Sequence, residues 1–251
     1  MSWTILEHKK IKSLNDAVIL VGLPGIANVG KIVVDFIIDS LKADKIAQFH
    51  SHALPHAVFV NESHLIEMPR IELFLVRGKR DLLLLSGDTQ PIDERSCHEF
   101  CEAVLSFCHG IGCSEVVSVG GIALRKMPKK PKLFVTGTGK KNVEQFAKGT
   151  PCDSRLFGIV GPIIGITGLI VAHAGARGMK NVCVLAETFG HPMYMGIPGA
   201  KEVLNVFDKK FGLKLDFTSL DDEIKLMESD VLRAGTLQRK IPSKKETSYI
   251  G

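Results

Sequence analysis

Residues 17–38 read AVILVGLPGIANVGKIVVDFII, and this stretch decides the fold. Its first six residues are continuously apolar and β-rich, which is typical of a strand buried on both faces. From Lys31 onward, apolar residues recur at helical spacing and predict a helix packed on that strand. Gly22, Pro24, Gly25 and Gly30 lie where the two runs meet and predict a tight turn. A buried strand followed by a turn and a helix is the repeating unit of α/β proteins.

The turn contains most of a phosphate-binding P-loop. Residues 25–31 read GIANVGK, which matches all but the last position of the motif G-x-x-x-x-G-K-[ST]. That last position needs a hydroxyl to bind magnesium, whereas Ile32 places a hydrocarbon there. We therefore expect glycines that let the helix approach its strand, and no nucleotide cofactor. If Gly25 has a positive φ, the substitution Gly25→Val would add backbone strain of about 1–3 kcal/mol.

Composition and charge predict a globular protein that does not bind nucleic acid. The 251 residues are 45% hydrophobic and 24% charged, so we expect a sizeable core. Much of the net charge of +5 lies in residues 236–251, which carry four basic residues and one acidic residue. Aromatic and basic residues do not alternate as they do in nucleic-acid platforms.

The chain divides into a folded domain, 1–235, and a C-terminal tail, 236–251. The tail lacks apolar periodicity, so we expect it to be flexible. The six cysteines lack the spacing of a disulfide framework, and the N-terminus lacks the features of a secretory signal. We therefore expect reduced thiols in a cytoplasmic protein.

Further strands and helices alternate along the domain, which predicts a largely parallel sheet with helices on both faces. Extended segments are predicted at residues 43–52, 57–60, 71–76, 81–85, 114–119, 133–136 and 181–185, and helices at 92–108, 142–148, 198–211 and 220–233.

The most apolar segment covers residues 157–176 and has the length of a membrane span. Glycines and a proline crowd its first half, so the helix is expected to begin only near Ile164. The remainder is too short to cross a bilayer. We expect no membrane insertion and instead a buried helix, with residues 157–168 in contact with another subunit of a homo-oligomer.

Cysteine and histidine residues of the predicted helix 92–108 suggest a metal site at first sight. Cys97, Cys101 and Cys108 share one helix face, with His98 and His109 beside them. Zinc sites usually pair ligands from two segments at short C-x-x-C spacings, which this helix lacks. We favour buried core thiols and no bound metal.

A second histidine pair, His50 and His52, alternates along a predicted strand and so shares one face. Such a pair can bind a catalytic metal, but no distant ligand set completes the site. The alternative is a polar strand surface or a subunit contact, and we favour it.

Polar residues follow two predicted strands, where open α/β sheets place their sites. Asp88 and Gln90 follow one strand, and Glu187 and His191 follow the other. They are compatible with a small-molecule pocket. However, no nucleophile–base pair is evident, and acidic residues in loops commonly cap helices. We predict no catalytic residues.

Six short motifs occur in order along residues 15–215. They are Gly22-Leu-Pro-Gly25, Asn28-Val29-Gly30, Gly87-Asp88-Thr89-Gln90-Pro91, Gly120-Gly121, Gly165-x-x-Gly168-Leu169 and Ala186-Glu187-Thr188. Together they resemble the archaeal branch of the PAC2 family, the proteasome assembly chaperones. The resemblance implies a nucleoside-phosphorylase-type α/β fold without the catalytic residues, action without ATP, homo-oligomers, and proteasome subunits as partners, the α-ring above all.

The resemblance also implies a role for the C-terminus. Some members end in a hydrophobic-Tyr-any tripeptide that docks between α-subunits of the 20S proteasome. Here Tyr is third from the end rather than second, and one extended residue adds about 3.3 Å. The implied partner-binding residues are Lys244, Lys245, Ser248, Tyr249, Ile250 and Gly251.

We therefore predict a non-enzymatic chaperone for proteasome assembly. Two alternatives stay open. One is a nucleoside-phosphorylase-like enzyme that uses Asp88, Glu187 and the glycine loops. The other is a nucleotide-binding regulatory module that uses Gly25 to Lys31.

Overall fold

The computed structural model describes residues 3–158 and 161–226. The chain divides into two units, Met1–Leu215 and Asp216–Gly251. In the second unit, residues 218–226 are helical, and the Asp216 carboxylate accepts a hydrogen bond from the Thr218 amide at 3.0 Å. This helix begins two residues before the predicted start. The predicted domain boundary at residue 235 lies outside the described residues.

The first unit contains a nine-stranded sheet, a separate two-stranded ribbon and flanking helices. Its strands are β1 (Thr4–Glu7), β2 (Ala17–Gly22), β3 (Asp44–His50), β4 (Phe59–Val60), β5 (Ile66–Glu67), β6 (Ile71–Val76), β7 (Leu82–Gly87), β8 (Cys113–Leu124), β9 (Leu133–Thr136), β10 (Cys152–Asp153) and β11 (Lys180–Phe189). Its helices are α1 (Val29–Leu41), α2 (Glu94–Gly110), α3 (Lys140–Ala147), α4 (Ile166–Ala176) and α5 (Ile197–Phe211).

The large sheet is mixed, with strand order β1-β3-β6-β7-β2-β8-β11-β9-β10. The four central strands, β7, β2, β8 and β11, are parallel, as predicted. Towards β1 all pairs are antiparallel, and β9 runs antiparallel to β11. The short connection between β6 and β7 explains part of this difference, because a parallel crossover needs a dozen or more residues. The expectation of a largely parallel sheet thus holds only for the centre.

Strand β2 forms the centre of the core, and all six of its residues are buried. Ala17, Ile19 and Val21 belong to the apolar cluster that includes α2 and α4. The intervening side chains point to the opposite face, because successive residues of a strand alternate. There α1 and α5 pack against each other. The helices therefore cover both faces of the central strands, as the sequence predicted.

The turn between β2 and α1 is tight at Gly22 and Gly30 rather than at Gly25. A β-carbon on Gly22 would lie 2.1 Å from the Gly30 carbonyl oxygen, and one on Gly30 would lie 2.4 Å from the Val119 carbonyl oxygen. Gly25 has an extended φ of −161°, so the condition under which Gly25→Val would add backbone strain is not met. Ala27 and Asn28 adopt the left-handed conformation instead, with φ of 50° and 54°.

The apolar segment 157–176 becomes helical only in its second half. Helix α4 begins at Ile166, close to the predicted start. Among the helices of the described chain, none is both long and apolar enough to cross a membrane.

Candidate functional site

Five connections meet at one edge of the sheet, which we call the carboxyl edge. It carries the residues that follow the parallel strands β2, β7, β8 and β11. The end of β3 reaches the same edge, because β3 and β7 are both antiparallel to β6. Residues 51–70, including the β4–β5 ribbon, therefore project from this edge as well. Open α/β sheets place their sites at such an edge.

A cavity of about 520 Å³ lies between the turn after β2 and the end of β8. It exists because β2 ends at Gly22, while β8 continues to Leu124 beside β11. Apolar side chains, glycines, Gln90 and Thr167 line it, and none of these lining residues carries a charge. Among the residues that the structure describes, the cavity therefore offers a polyphosphate no cationic side chain.

The lysine of the P-loop-like motif is directed elsewhere. Lys31 Nζ lies 2.8 Å from the Asp35 carboxylate, one turn further along α1. Asp35 also accepts a hydrogen bond from the hydroxyl of Ser86, at the end of β7. The ammonium group thus contributes to the outer surface of α1, whereas Gly30 packs on β8.

Gln90 and Asp88 hold the connections of the carboxyl edge together. The Gln90 amide donates to the carbonyl of Pro24, and its oxygen accepts from the Ile166 amide at 2.9 Å. Asp88 accepts from the Arg70 amide at 3.0 Å, and its own amide donates to the Arg70 carbonyl at 2.8 Å. Both side chains therefore have structural partners.

Glu187 and His191 lie at the end of β11. Glu187 accepts from the Lys132 amide at 3.0 Å, and the His191 ring stacks on Phe189 at 5.7 Å. Strands β2 and β8 separate β7 from β11, so roughly 14 Å lies between the ends that carry Asp88 and Glu187. The structure does not bring the two predicted carboxylates together.

The cysteines of α2 are core residues or half-buried. Cys101 and Cys108 are buried, and Cys97 is partly exposed with its thiol 3.8 Å from the Pro91 carbonyl. Burial raises the pKa of the Cys101 and Cys108 thiols well above the ordinary range. Raised pKa values make these thiols poor nucleophiles and poor metal ligands at neutral pH.

The other histidines that the sequence suggested as metal ligands do not form a metal centre. His50 and His52 are exposed, with ring centroids 6.0 Å apart, and His109 is exposed at the end of α2. Within residues 3–158 and 161–226, no group of three or more His, Cys, Asp or Glu side chains is arranged to hold a metal ion.

A series of hydrogen-bonded polar side chains between α2 and α4 was not predicted from the sequence. His98 Nδ1 lies 2.8 Å from His173 Nε2, and His173 Nδ1 lies 2.7 Å from Glu102. Arg177 donates to the same carboxylate. Hydrogen bonds from His173 and Arg177 lower the pKa of Glu102. His98 and Glu102 lie four residues apart on α2, and His173 of α4 lies four residues before Arg177, which directly follows that helix. The sequence alone does not show that the two helices pack together.

Exposed apolar side chains also concentrate at the carboxyl edge. The β4–β5 ribbon and its flanks expose Val60 by 68% and Ile66 by 71% of their areas. Ile92 and Ile164 lie exposed along a neighbouring groove. Large exposed apolar patches mark interaction surfaces. The predicted partner-binding residues of the tail, Lys244 to Gly251, lie outside the described residues.

The chain belongs to the PAC2 family, whose model matches residues 19–234. It is 27% identical to an uncharacterised protein of Methanocaldococcus jannaschii, over 97% of this chain and 95% of that protein.

Solved structures agree with this assignment. Pyrococcus furiosus PbaB, described as an archaeal proteasome activator, superposes with a TM-score of 0.86 at 26% identity, covering 93% of this chain and 99% of PbaB. Pyrococcus furiosus PbaA, described as an archaeal homologue of proteasome-assembly chaperone, gives a TM-score of 0.77 at 18% identity, covering 96% and 94%. At 18% identity, the similarity to PbaA shows a shared fold and no more.

Proposed function

We propose that the protein is a non-enzymatic, ATP-independent chaperone that binds proteasome subunits and assists 20S assembly in the cytoplasm. The observation that carries the choice of the proteasome as partner is the match to PbaB, described as an archaeal proteasome activator, which covers nearly the whole length of both chains. The resemblance of the six sequence motifs to the proteasome assembly chaperones supports the assembly role. The PAC2 family match over residues 19–234 supports the same role.

The geometry of the carboxyl edge favours binding over catalysis. Asp88 and Glu187 are the carboxylates of the rival enzyme hypothesis. Asp88 follows β7 and Glu187 lies in β11, and two other strands separate β7 from β11. Gln90 and Asp88 are both engaged in hydrogen bonds that join neighbouring connections. General acid–base catalysis needs such groups within hydrogen-bond reach of one substrate.

Assembly kinetics test this proposal. Purified proteasome α and β subunits from the source organism would be mixed with and without the protein, and 20S particles followed on native gels. We expect faster or more complete assembly in the absence of ATP, with no further gain when ATP is added. Unchanged assembly at saturating protein would contradict the proposed role.

The substitution Lys31→Ala should leave assembly intact. The side chain is partly exposed and pairs with Asp35 within one helix, a contact worth about 0.3–0.5 kcal/mol. Thermal denaturation should therefore show a loss of stability of that size, and native gels should show ordinary assembly. A folded Lys31→Ala protein that no longer assists assembly would restore the phosphate-binding hypothesis.

We also propose a homo-oligomer that buries apolar parts of the carboxyl edge. A two-stranded ribbon is marginally stable alone, and the β4–β5 ribbon exposes most of its apolar side chains. Ile164, within the predicted contact segment 157–168, is 86% exposed in the monomer. Covering such surfaces removes an aggregation liability.

Light scattering should give a mass that is a multiple of 27.4 kDa. The double substitution Val60→Asp and Ile66→Asp should reduce that mass, because it places two charges in the apolar contact. Leu6→Asp, at an exposed position of β1, is the matched control and should leave the mass unchanged. A wild-type protein that is monomeric at micromolar concentration would contradict the oligomer.

A further inference from the structure

The connection between β8 and β9 passes over the end of β11, because β11 lies between these two strands in the sheet. The Glu187 amide donates to the Lys132 carbonyl at 3.0 Å, and the Gly190 amide donates to the Leu124 carbonyl at 2.9 Å. Residues 125–132 are thus tied to β11 at both ends. The loop of residues 190–196 emerges from β11 beside them.

This connection is strongly basic. Five of its eight residues are cationic, and all five are exposed: Arg125, Lys126, Lys129, Lys130 and Lys132. None of them forms an ion pair with a carboxylate of the described chain. Glu187, the neighbouring acid, accepts instead from the backbone amide of Lys132. The Asp153 carboxylate interacts with the charge of Lys132 but pairs with Arg155, so most of the positive charge of the connection is available to a partner.

Methionine side chains lie in this connection and in the loop that follows β11. Met127 of the connection is 40% exposed and Met193 of the loop is 85% exposed, whereas the Met195 sulfur lies 3.8 Å from Asn28 Nδ2 in the turn after β2. Exposed methionines suit adaptable protein contacts, because the unbranched thioether can repack against different side chains. We call Met127, Met193 and the five cations of residues 125–132 the methionine–lysine face.

The aromatic residues at the end of β11 and in the loop that follows it favour a protein partner over a nucleic acid. Phe189 stacks on the His191 ring and meets the Tyr194 ring edge-on, each at 5.7 Å between centroids. These rings contact one another, whereas nucleic-acid platforms present free ring faces to successive bases.

We propose that the methionine–lysine face binds an acidic segment of a partner protein in which apolar side chains alternate with carboxylates. The carboxylates would pair with the cations of residues 125–132, and the apolar side chains would contact the methionines. The chain's own tail is excluded as the occupant, because residues 236–251 carry four basic residues and one acidic residue. This inference goes beyond the proposed function, since it concerns the body of the protein and holds whichever protein presents the segment.

Fluorescence anisotropy with a defined probe tests the proposal. The probe is a labelled twelve-residue peptide of alternating Glu and Leu, titrated with the full-length protein. Two comparison probes are the same peptide with Gln in place of Glu, and a twelve-nucleotide oligo-dT. We expect the acidic peptide to bind more tightly than either, and increasing salt to weaken that binding.

Matched charge variants locate the contact. The triple substitution Lys126→Glu, Lys129→Glu and Lys130→Glu should weaken peptide binding about tenfold or more, because it replaces attraction by repulsion at three positions. The control is Lys10→Glu, Lys12→Glu and Lys79→Glu, which makes the same charge change at exposed residues on the opposite edge of the sheet. It should retain most of the binding. Met193→Ser should weaken binding about threefold without changing its salt dependence.

Three results would overturn the proposal. Equal losses in both triple variants would mean that bulk charge, not this face, attracts the peptide. Equal affinities for the Gln peptide and the Glu peptide would mean that the carboxylates contribute nothing to binding. Tighter binding of oligo-dT, lost in the face variant, would assign the face to nucleic acid. Thermal melts of each variant separate these outcomes from unfolding.

Discussion

Replacing Gly22 with alanine should destabilise the protein by about 1–3 kcal/mol, the range for overpacked sites. The new β-carbon would lie 2.1 Å from the Gly30 carbonyl oxygen and 2.5 Å from a methyl group of Val34. Two of the three nearest atoms are backbone, so α1 itself would have to move away from β2. The entropic gain of a Gly→Ala change, about 0.4–1 kcal/mol, is smaller than this cost.

Thermal denaturation measures this effect, and Gly25→Ala is the matched control in the same turn. Gly25 has an extended backbone, and a β-carbon added there would have no neighbouring atom closer than 4.0 Å. The control should stay within about 0.5 kcal/mol of the wild type. Gly22→Ala should lower the melting temperature by about 3–10 °C. Equal melting temperatures for the two variants would contradict the close approach of α1 to β2.

Deleting residues 247–251 should weaken proteasome binding strongly while leaving the body folded and oligomeric. The deleted segment, Thr-Ser-Tyr-Ile-Gly, ends a basic segment with an aromatic and an aliphatic residue. Tyr249 offers a large ring and one hydroxyl, a combination favoured at binding hot spots. Tyr249→Ala should therefore cost about 2 kcal/mol or more per site, which is roughly a thirtyfold loss of affinity.

The dependence of binding on salt concentration and on the number of tails distinguishes the contributions of individual tail residues to proteasome binding. Raising the ionic strength should weaken the contribution of Lys244 and Lys245 but spare that of Tyr249, because screening acts on exposed charges. An oligomer that presents several tails should bind more tightly than a single tail, through effective concentration. Thr247→Ala is the control within the tail and should change little. If the truncated protein binds as tightly as the full chain, recognition lies on the folded body.

The sequence predicted the local structure well because its signals are local. The apolar run 17–22, the helical spacing after Lys31 and Pro198 at the start of α5 each specify an element within a short window. Strand order is different, because it depends on pairs far apart in the chain. The connection after β8 reaches β9 only by passing β11, and no local pattern indicates that crossing.

The candidate site was harder to predict for the same reason. Asp88 and Glu187 both follow central strands, which the sequence shows, but two other strands separate them in the sheet. The contact between His98 and His173 joins two helices whose packing is not encoded in either one. The glycines were predicted to let the helix approach its strand. The positions without room for a β-carbon are Gly22 and Gly30, whereas Gly25 has room for one. The resemblance to the nucleoside-phosphorylase fold stays a prediction.

The affinity of the full-length protein for proteasome α-subunits of the source organism, measured without nucleotide, tests the central claim most directly. Calorimetric titrations would compare the intact chain with the protein that lacks residues 247–251. We predict saturable binding of the intact chain that ATP does not change, and a loss of at least about thirtyfold on truncation. An intact, folded protein that binds neither free α-subunits nor assembled 20S particles would contradict the account.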